Sequence, residues 1–139
     1  MGVDFTLYKI KDDGAGDLCE IKKILYLSNT RADIVANWFY NIIKQINYDE
    51  NQIYIKIYGD YLLFLKNHLE QVLNKTGLER DLSAAFFLPP KLKGDIWIRG
   101  SDMFSESYYS DLEYIHEMIS EIVSSDFDED SSFLYNIQR

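Results

Sequence analysis

Asp126-Phe127-Asp128-Glu129-Asp130 is the stretch of this sequence whose residue types and spacing most invite chemistry. Aspartates at alternate positions open calcium loops, where hard oxygen ligands converge on a hard cation. Such a loop also needs glycine at its sixth position and a bidentate glutamate at its twelfth, and Ser131 and Ile137 stand there. No dedicated calcium site is expected. Zinc fares worse: His68, His116 and Cys19 are the chain's histidines and its cysteine, and none has paired ligand spacing. Both histidines border apolar helical stripes, the place of an amphipathic edge residue. Covalent catalysis needs a nucleophile, a base and an orienting group held together. Cys19 falls on a predicted strand face and reads as a small core hydrophobe instead of a reactive thiolate. Gly14-Ala15-Gly16-Asp17 lacks the lysine and the strand-to-helix setting of a phosphate-binding loop. Asn74-Lys75-Thr76 matches a glycosylation acceptor but falls at a predicted helix end. The expectation is a protein without catalytic residues, metal ligands or cofactors.

Carboxylates arranged for recognition are another matter. Glu113, Glu117 and Glu121 are spaced so as to line one face of a helix, nearly opposite Ile115 and Ile119. Like charges at this spacing destabilise a helix by a few tenths of a kcal/mol per pair. The row also belongs to a larger asymmetry. From Met1 to Gly100 there are 13 acidic and 13 basic side chains, whereas Ser101 to Arg139 holds 10 acidic residues and only Arg139 as a base. The whole net charge of −9 therefore sits in the last third. A charge needed only for solubility would be spread, whereas a dense field of one sign steers an oppositely charged surface into contact. The candidate partner-binding residues are Glu113, Glu117, Glu121, Asp111, Asp126, Asp128 and Asp130. Tyr108 and Tyr109 join them, since tyrosines rimmed by carboxylates give large contact area at low entropy cost.

The elements that must hold these residues are legible from periodicity. Val3, Phe5 and Leu7 alternate with polar neighbours, and Cys19, Ile21 and Leu25 lie on one face of a second strand, giving a hairpin. Thr30 with Asp33 resembles a capping box, opening a helix with Ile34, Val35, Trp38, Phe39, Ile42 and Ile43 as its stripe. Trp38 is expected in the core. Ile53, Ile55 and Ile57 mark a third strand. Asp60 is placed to cap a second helix bearing Leu62, Leu65, Leu69, Val72 and Leu73, with Gly77 as its stop. Leu78 to Phe87 suits a short further helix, closed by Pro89-Pro90. Ile96-Trp97-Ile98 reads as a short fourth strand. A third main helix spans Tyr108 to Ser124 with Leu112, Ile115, Ile119, Ile122 and Val123 inward, and Phe133, Tyr135 and Ile137 form a last strand. The fold class is α+β: a mainly antiparallel sheet with about three helices packed on one face. A doubly wound parallel sheet fits less well, for want of a glycine fingerprint after a strand.

Length and composition agree with one domain, 1–139, carrying an acidic C-terminal third, 101–139. Twenty-one aromatic residues and 47% apolar content are enough for a core. No basic stretch followed by an apolar run opens the chain, and no apolar run nears the ~20 residues of a bilayer span. The expected location is cytoplasmic. Net negative charge argues against direct nucleic-acid binding and against an anionic membrane surface, and favours a basic protein partner.

Four places also resemble a group of small proteins from phages, prophages and their bacterial hosts. They are Met1-Gly2-Val3-Asp4-Phe5-Thr6-Leu7-Tyr8-Lys9, the helical Trp38-Phe39, Gly100-Ser101 with Tyr108-Tyr109-Ser110-Asp111-Leu112, and Phe133-Leu134-Tyr135. The group tends to carry Tyr-Trp-Arg-Lys after its second strand, where this chain reads Tyr26-Leu27-Ser28-Asn29. The resemblance implies a mobile-element setting and no particular chemistry. With the charge pattern it yields the leading expectation: an acidic inhibitor that blocks a basic, nucleic-acid-binding effector by mimicry, such as a CRISPR nuclease. The alternatives are an immunity protein for a basic toxin, a small carboxylate- or metal-dependent hydrolase, and a structural accessory protein that forms oligomers such as a homodimer.

Overall fold

The computed structural model describes residues 4–12, 18–43, 52–88, 104–125 and 132–138. Four strands and four helices follow in the order β1 (Asp4–Asp12), β2 (Leu18–Ser28), α1 (Asn29–Ile43), β3 (Gln52–Tyr58), α2 (Asp60–Leu73), α3 (Gly77–Phe87), α4 (Glu106–Ser125) and β4 (Ser132–Gln138). The sheet order is β2-β1-β4-β3 and all three pairings are antiparallel. This is the expected α+β architecture with four helices in place of about three, because the 78–87 stretch folds as a full helix. The expected strand at Ile96-Trp97-Ile98 lies outside the described residues.

Period two decides which side of the sheet is buried. Phe5 and Leu7 of β1, Leu25 and Leu27 of β2, Ile57 of β3 and Phe133, Tyr135 and Ile137 of β4 are all buried. They form one cluster with Ile34, Val35, Trp38 and Phe39 of α1 and with the inner rows of α2 and α4. At its centre the rings of Phe5, Phe39 and Tyr135 stack, with centroids 4.5 to 5.7 Å apart, joining β1, α1 and β4. Tyr26, Tyr54 and Tyr58 stand exposed on the opposite face. Thr6 and Asn136 are nonetheless buried on that face. They occupy the two central strands and pair across the ladder with each other, with Tyr26 and with Tyr54.

Three local expectations are corrected. Ile21 does not share the buried face of Leu25: it is 52% exposed, against 7% for Leu25. The register jumps from Leu7↔Leu25 to Tyr8↔Lys23, leaving Ile24 as a bulge that flips the alternation. Thr30 is not the cap of α1, which opens a residue earlier at Asn29 with φ +52°, a left-handed conformation asparagine tolerates. Strand thus becomes helix without a loop. Nor does Asp60 cap α2 or Gly77 stop it. Gly59 holds the cap position, Asp60 is the first helical residue, and α2 ends at Leu73 with Asn74 behind it. Gly77, at φ +58°, instead makes the turn into α3.

Candidate functional site

The acidic row stands on α4, a helix fixed from within and at both ends. Leu112, Ile115, Ile119 and Ile122 are buried at helical spacing. Ser105 Oγ accepts the amide of Tyr108 at 3.1 Å, satisfying one of the orphan donors at the helix start. Glu106 places a carboxylate in the first turn, where the helix dipole favours it. At the far end Ser124 and Ser125 both donate to the carbonyl of Glu121, at 2.9 and 2.6 Å.

Two contacts orient the flanks of the helix. Arg31 donates through Nε to Asp111 Oδ1 at 2.9 Å, and its guanidinium carbon lies 3.7 Å from the centre of the Tyr114 ring. That pair ties the start of α1 to α4. Glu70 of α2 accepts from Lys66 Nζ at 3.0 Å and lies 3.0 Å from His116 Nε2. These partners hold the Glu70 carboxyl below the ordinary glutamate range, His116 most of all. Arg31 and Lys66 are therefore committed to Asp111 and Glu70.

Among the described residues the outward row is left uncompensated. Glu113, Glu117 and Glu121 are all exposed, as expected, and Glu106 heads the same row two turns earlier. Among the described residues none of the four has an ion-pair partner. Glu106 was absent from the sequence expectation, although its spacing of seven from Glu113 marks the same face. From Glu106 to Glu121 the row runs about 22 Å at the helical rise of ~1.5 Å per residue. A pocket of 170 Å³ at the end of the row is lined by Glu121 and Ser125 together with Ile24, Leu25, Met118 and Ile122, and most of its exposed lining is polar. The bulge at Ile24 brings that edge of the sheet to α4.

Other members of the expected set are placed differently. Tyr108 and Tyr109 are core residues, 1% and 3% exposed, and do not belong to a surface that a partner meets. The helix turn that puts Leu112 inward puts them inward too. Tyr109 donates its hydroxyl to Asp81 of α3, and Arg80 lies 3.6 Å over its ring. Burial and then Asp81 push its hydroxyl up to about 12. Asp111 is turned to Arg31, so its charge is already paired within the chain. Asp126, Asp128 and Asp130 lie outside the described residues. Among the described residues no group of three His, Cys, Asp or Glu is placed to hold a metal ion. No helix there is long and apolar enough to cross a membrane.

A second pocket, of 260 Å³, opens at the β2–α1 junction between Ser28, Asn29, Thr30, Arg31 and Asp111. Its charged walls neutralise each other. Comparison with known proteins finds no matching family model, no matching curated protein and no matching solved structure.

Proposed function

We propose that this chain is a non-enzymatic binding protein that uses the outer row of α4 to occupy a basic surface of another protein. What supports the reading is the run of exposed glutamates, Glu106, Glu113, Glu117 and Glu121, without a compensating cation among the described residues. Carboxylates held on a rigid helix meet lysines and arginines without first breaking internal pairs, so little of the attraction is lost on binding. A surface evolved to hold phosphates presents such cations in rows, which makes a nucleic-acid-binding effector the best-fitting partner. In the mobile-element setting that the sequence resemblance implies, the partner is a host defence nuclease.

The test replaces Glu113, Glu117 and Glu121 together by Gln. The variant keeps the wild-type circular dichroism spectrum and loses affinity mainly through a slower association rate. Wild-type binding weakens as salt rises, because steering is screened beyond ~10 Å at 0.1 M. DNA or RNA competes with the protein for the partner. Unaltered association kinetics in the triple variant would remove α4 from the interface.

A further inference from the structure

Among the described residues, helices cover only one side of the sheet. The inner face joins the core with α1, α2 and α4, and the outer face carries aromatic and basic side chains. Cross-strand register sets that outer face out in rows. One row runs Tyr26, Thr6, Asn136, Tyr54 from β2 across to β3, and the next has Lys23 and Lys56 at its two ends. On β3 the outward residues are Tyr54, Lys56 and Tyr58, each about 7 Å from the next at strand spacing. Tyr26, Tyr54 and Tyr58 are 52%, 57% and 62% exposed, and both lysines are exposed with them. Thr6 and Asn136 are buried between the edges, so the tyrosines of β2 and β3 stand ~14 Å apart across a shallow polar floor. Asp4 is the one carboxylate on this face among the described side chains. It accepts the Tyr26 hydroxyl at 3.0 Å, which holds that ring in place. The charge of the chain is divided between the same two layers. The helices hold ten acidic and three basic residues, the strands three acidic and five basic. Net negative charge speaks against nucleic acid only when it is averaged over the molecule. A Debye length of ~10 Å at 0.1 M lets the two sides act apart.

We propose that the outer face of the sheet is a seat for single-stranded nucleic acid. Bases stack on Tyr26, Tyr54 and Tyr58, while Lys23 and Lys56 meet the phosphates between them. Exposed rings hold unpaired bases whatever their sequence, and a four-stranded sheet is a rigid platform for such rings. The lysines select the occupant. A neutral sugar or an apolar peptide leaves them unused, and an acidic helix leaves the rings without flat partners. A single strand supplies flat rings and negative charges in regular alternation, which matches the order Tyr54, Lys56, Tyr58 along β3. Lysine on an edge strand also discourages the addition of further strands, but that duty does not call for exposed tyrosines on either side of it. The glutamate row of α4 takes no part in this binding.

Fluorescence anisotropy of a labelled oligo(dT) about twelve nucleotides long, titrated with the full chain and no other protein, tests the proposal. The oligonucleotide binds at low salt, and log K falls with log salt by ~0.7 for each phosphate contact. Tyr54→Ala and Tyr58→Ala each weaken binding at least about fivefold, the smaller loss expected for one stacked base. Tyr54→Phe keeps the affinity, because the ring remains. Lys23→Gln and Lys56→Gln each flatten the salt slope by ~0.7. All four positions are exposed, so the variants keep the wild-type circular dichroism spectrum. Duplex DNA of the same length binds more weakly, since its bases are already stacked on one another. The triple Gln variant at Glu113, Glu117 and Glu121 binds oligo(dT) no less tightly than wild type, so this site and the α4 interface fail separately. Absence of binding at low salt overturns the proposal and leaves the face to a protein. So does binding indifferent to both alanine changes, or equal affinity for the duplex.

Discussion

Trp38 shows how a core residue acquires a polar duty that its sequence position does not announce. Its indole is 1% exposed and edge-on to Phe39, and Nε1 donates to His68 Nδ1 at 3.0 Å. Trp38→Phe keeps most of the packing and gives up that hydrogen bond, a loss of about 1 kcal/mol. Trp38→Ala also leaves a cavity and costs about 3–5 kcal/mol. Urea denaturation separates the two, and a small loss for the alanine variant would place Trp38 outside the core. Asp33 is the reverse case, a residue expected at a cap that is placed where ionisation is unwelcome. Its Oδ1 is buried without a hydrogen-bond partner among the described residues, and burial pushes its carboxyl up to about 7. The folded chain therefore keeps a proton that the unfolded chain releases near pH 4. Stability contributed at this site is full below the unfolded value and lost as pH rises through about 7. Asp33→Asn removes that penalty and stabilises the protein at neutral pH by about 1–2 kcal/mol, allowing for solvent around a half-exposed group. Wild type and variant converge in denaturation curves at pH 4, and a gain independent of pH would contradict the assignment.

At the scale of an element, α4 answers to two opposed demands. Its inner row packs, while its outer row stacks like charges at four-residue spacing. The triple change of Glu113, Glu117 and Glu121 to Gln relieves two such pairs and raises stability by roughly 0.5 kcal/mol. Thermal melts at low salt show the gain, and melts in high salt abolish it by screening. The stripes of α1, α2 and α4 were readable because burial on one side of a helix imposes a period that survives in the letters. The caps were less so. Thr30 and Asp60 fall inside the helices they were expected to open, because α1 begins at Asn29, in a left-handed conformation, and Gly59 holds the cap position of α2. The bulge at Ile24 left no mark in the sequence either, since it is a property of how β2 pairs with β1 and not of β2 alone.

At the scale of the molecule, β4 is the strand that closes the sheet. β4 lies between β1 and β3 and hydrogen-bonds to both. It delivers Phe133, Tyr135 and Ile137 to the core, each at most 1% exposed. Truncation after Ser131 therefore removes two ladders and three core side chains, not a fraying end. The shortened chain is expected to lack a cooperative thermal transition, and a sharp melt near that of the full chain would mean that β1 and β3 hold without β4.

Sequence alone determined the α+β class, the opening hairpin, the inward faces of the main helices and the acidic row of α4. All of these follow from local periodicity and charge, which neighbouring residues express together. Tertiary structure decided what depends on partners distant in the chain. It set β4 in the middle of the sheet, buried Tyr108 and Tyr109, paired Asp111 with Arg31, and put the apolar side of α3 outward. Tyr109 and Asp81 are 28 residues apart, and Arg31 and Asp111 are 80 apart. No window along the chain contains both members of either pair, so whether those charges face a partner or each other is settled only when the helices pack.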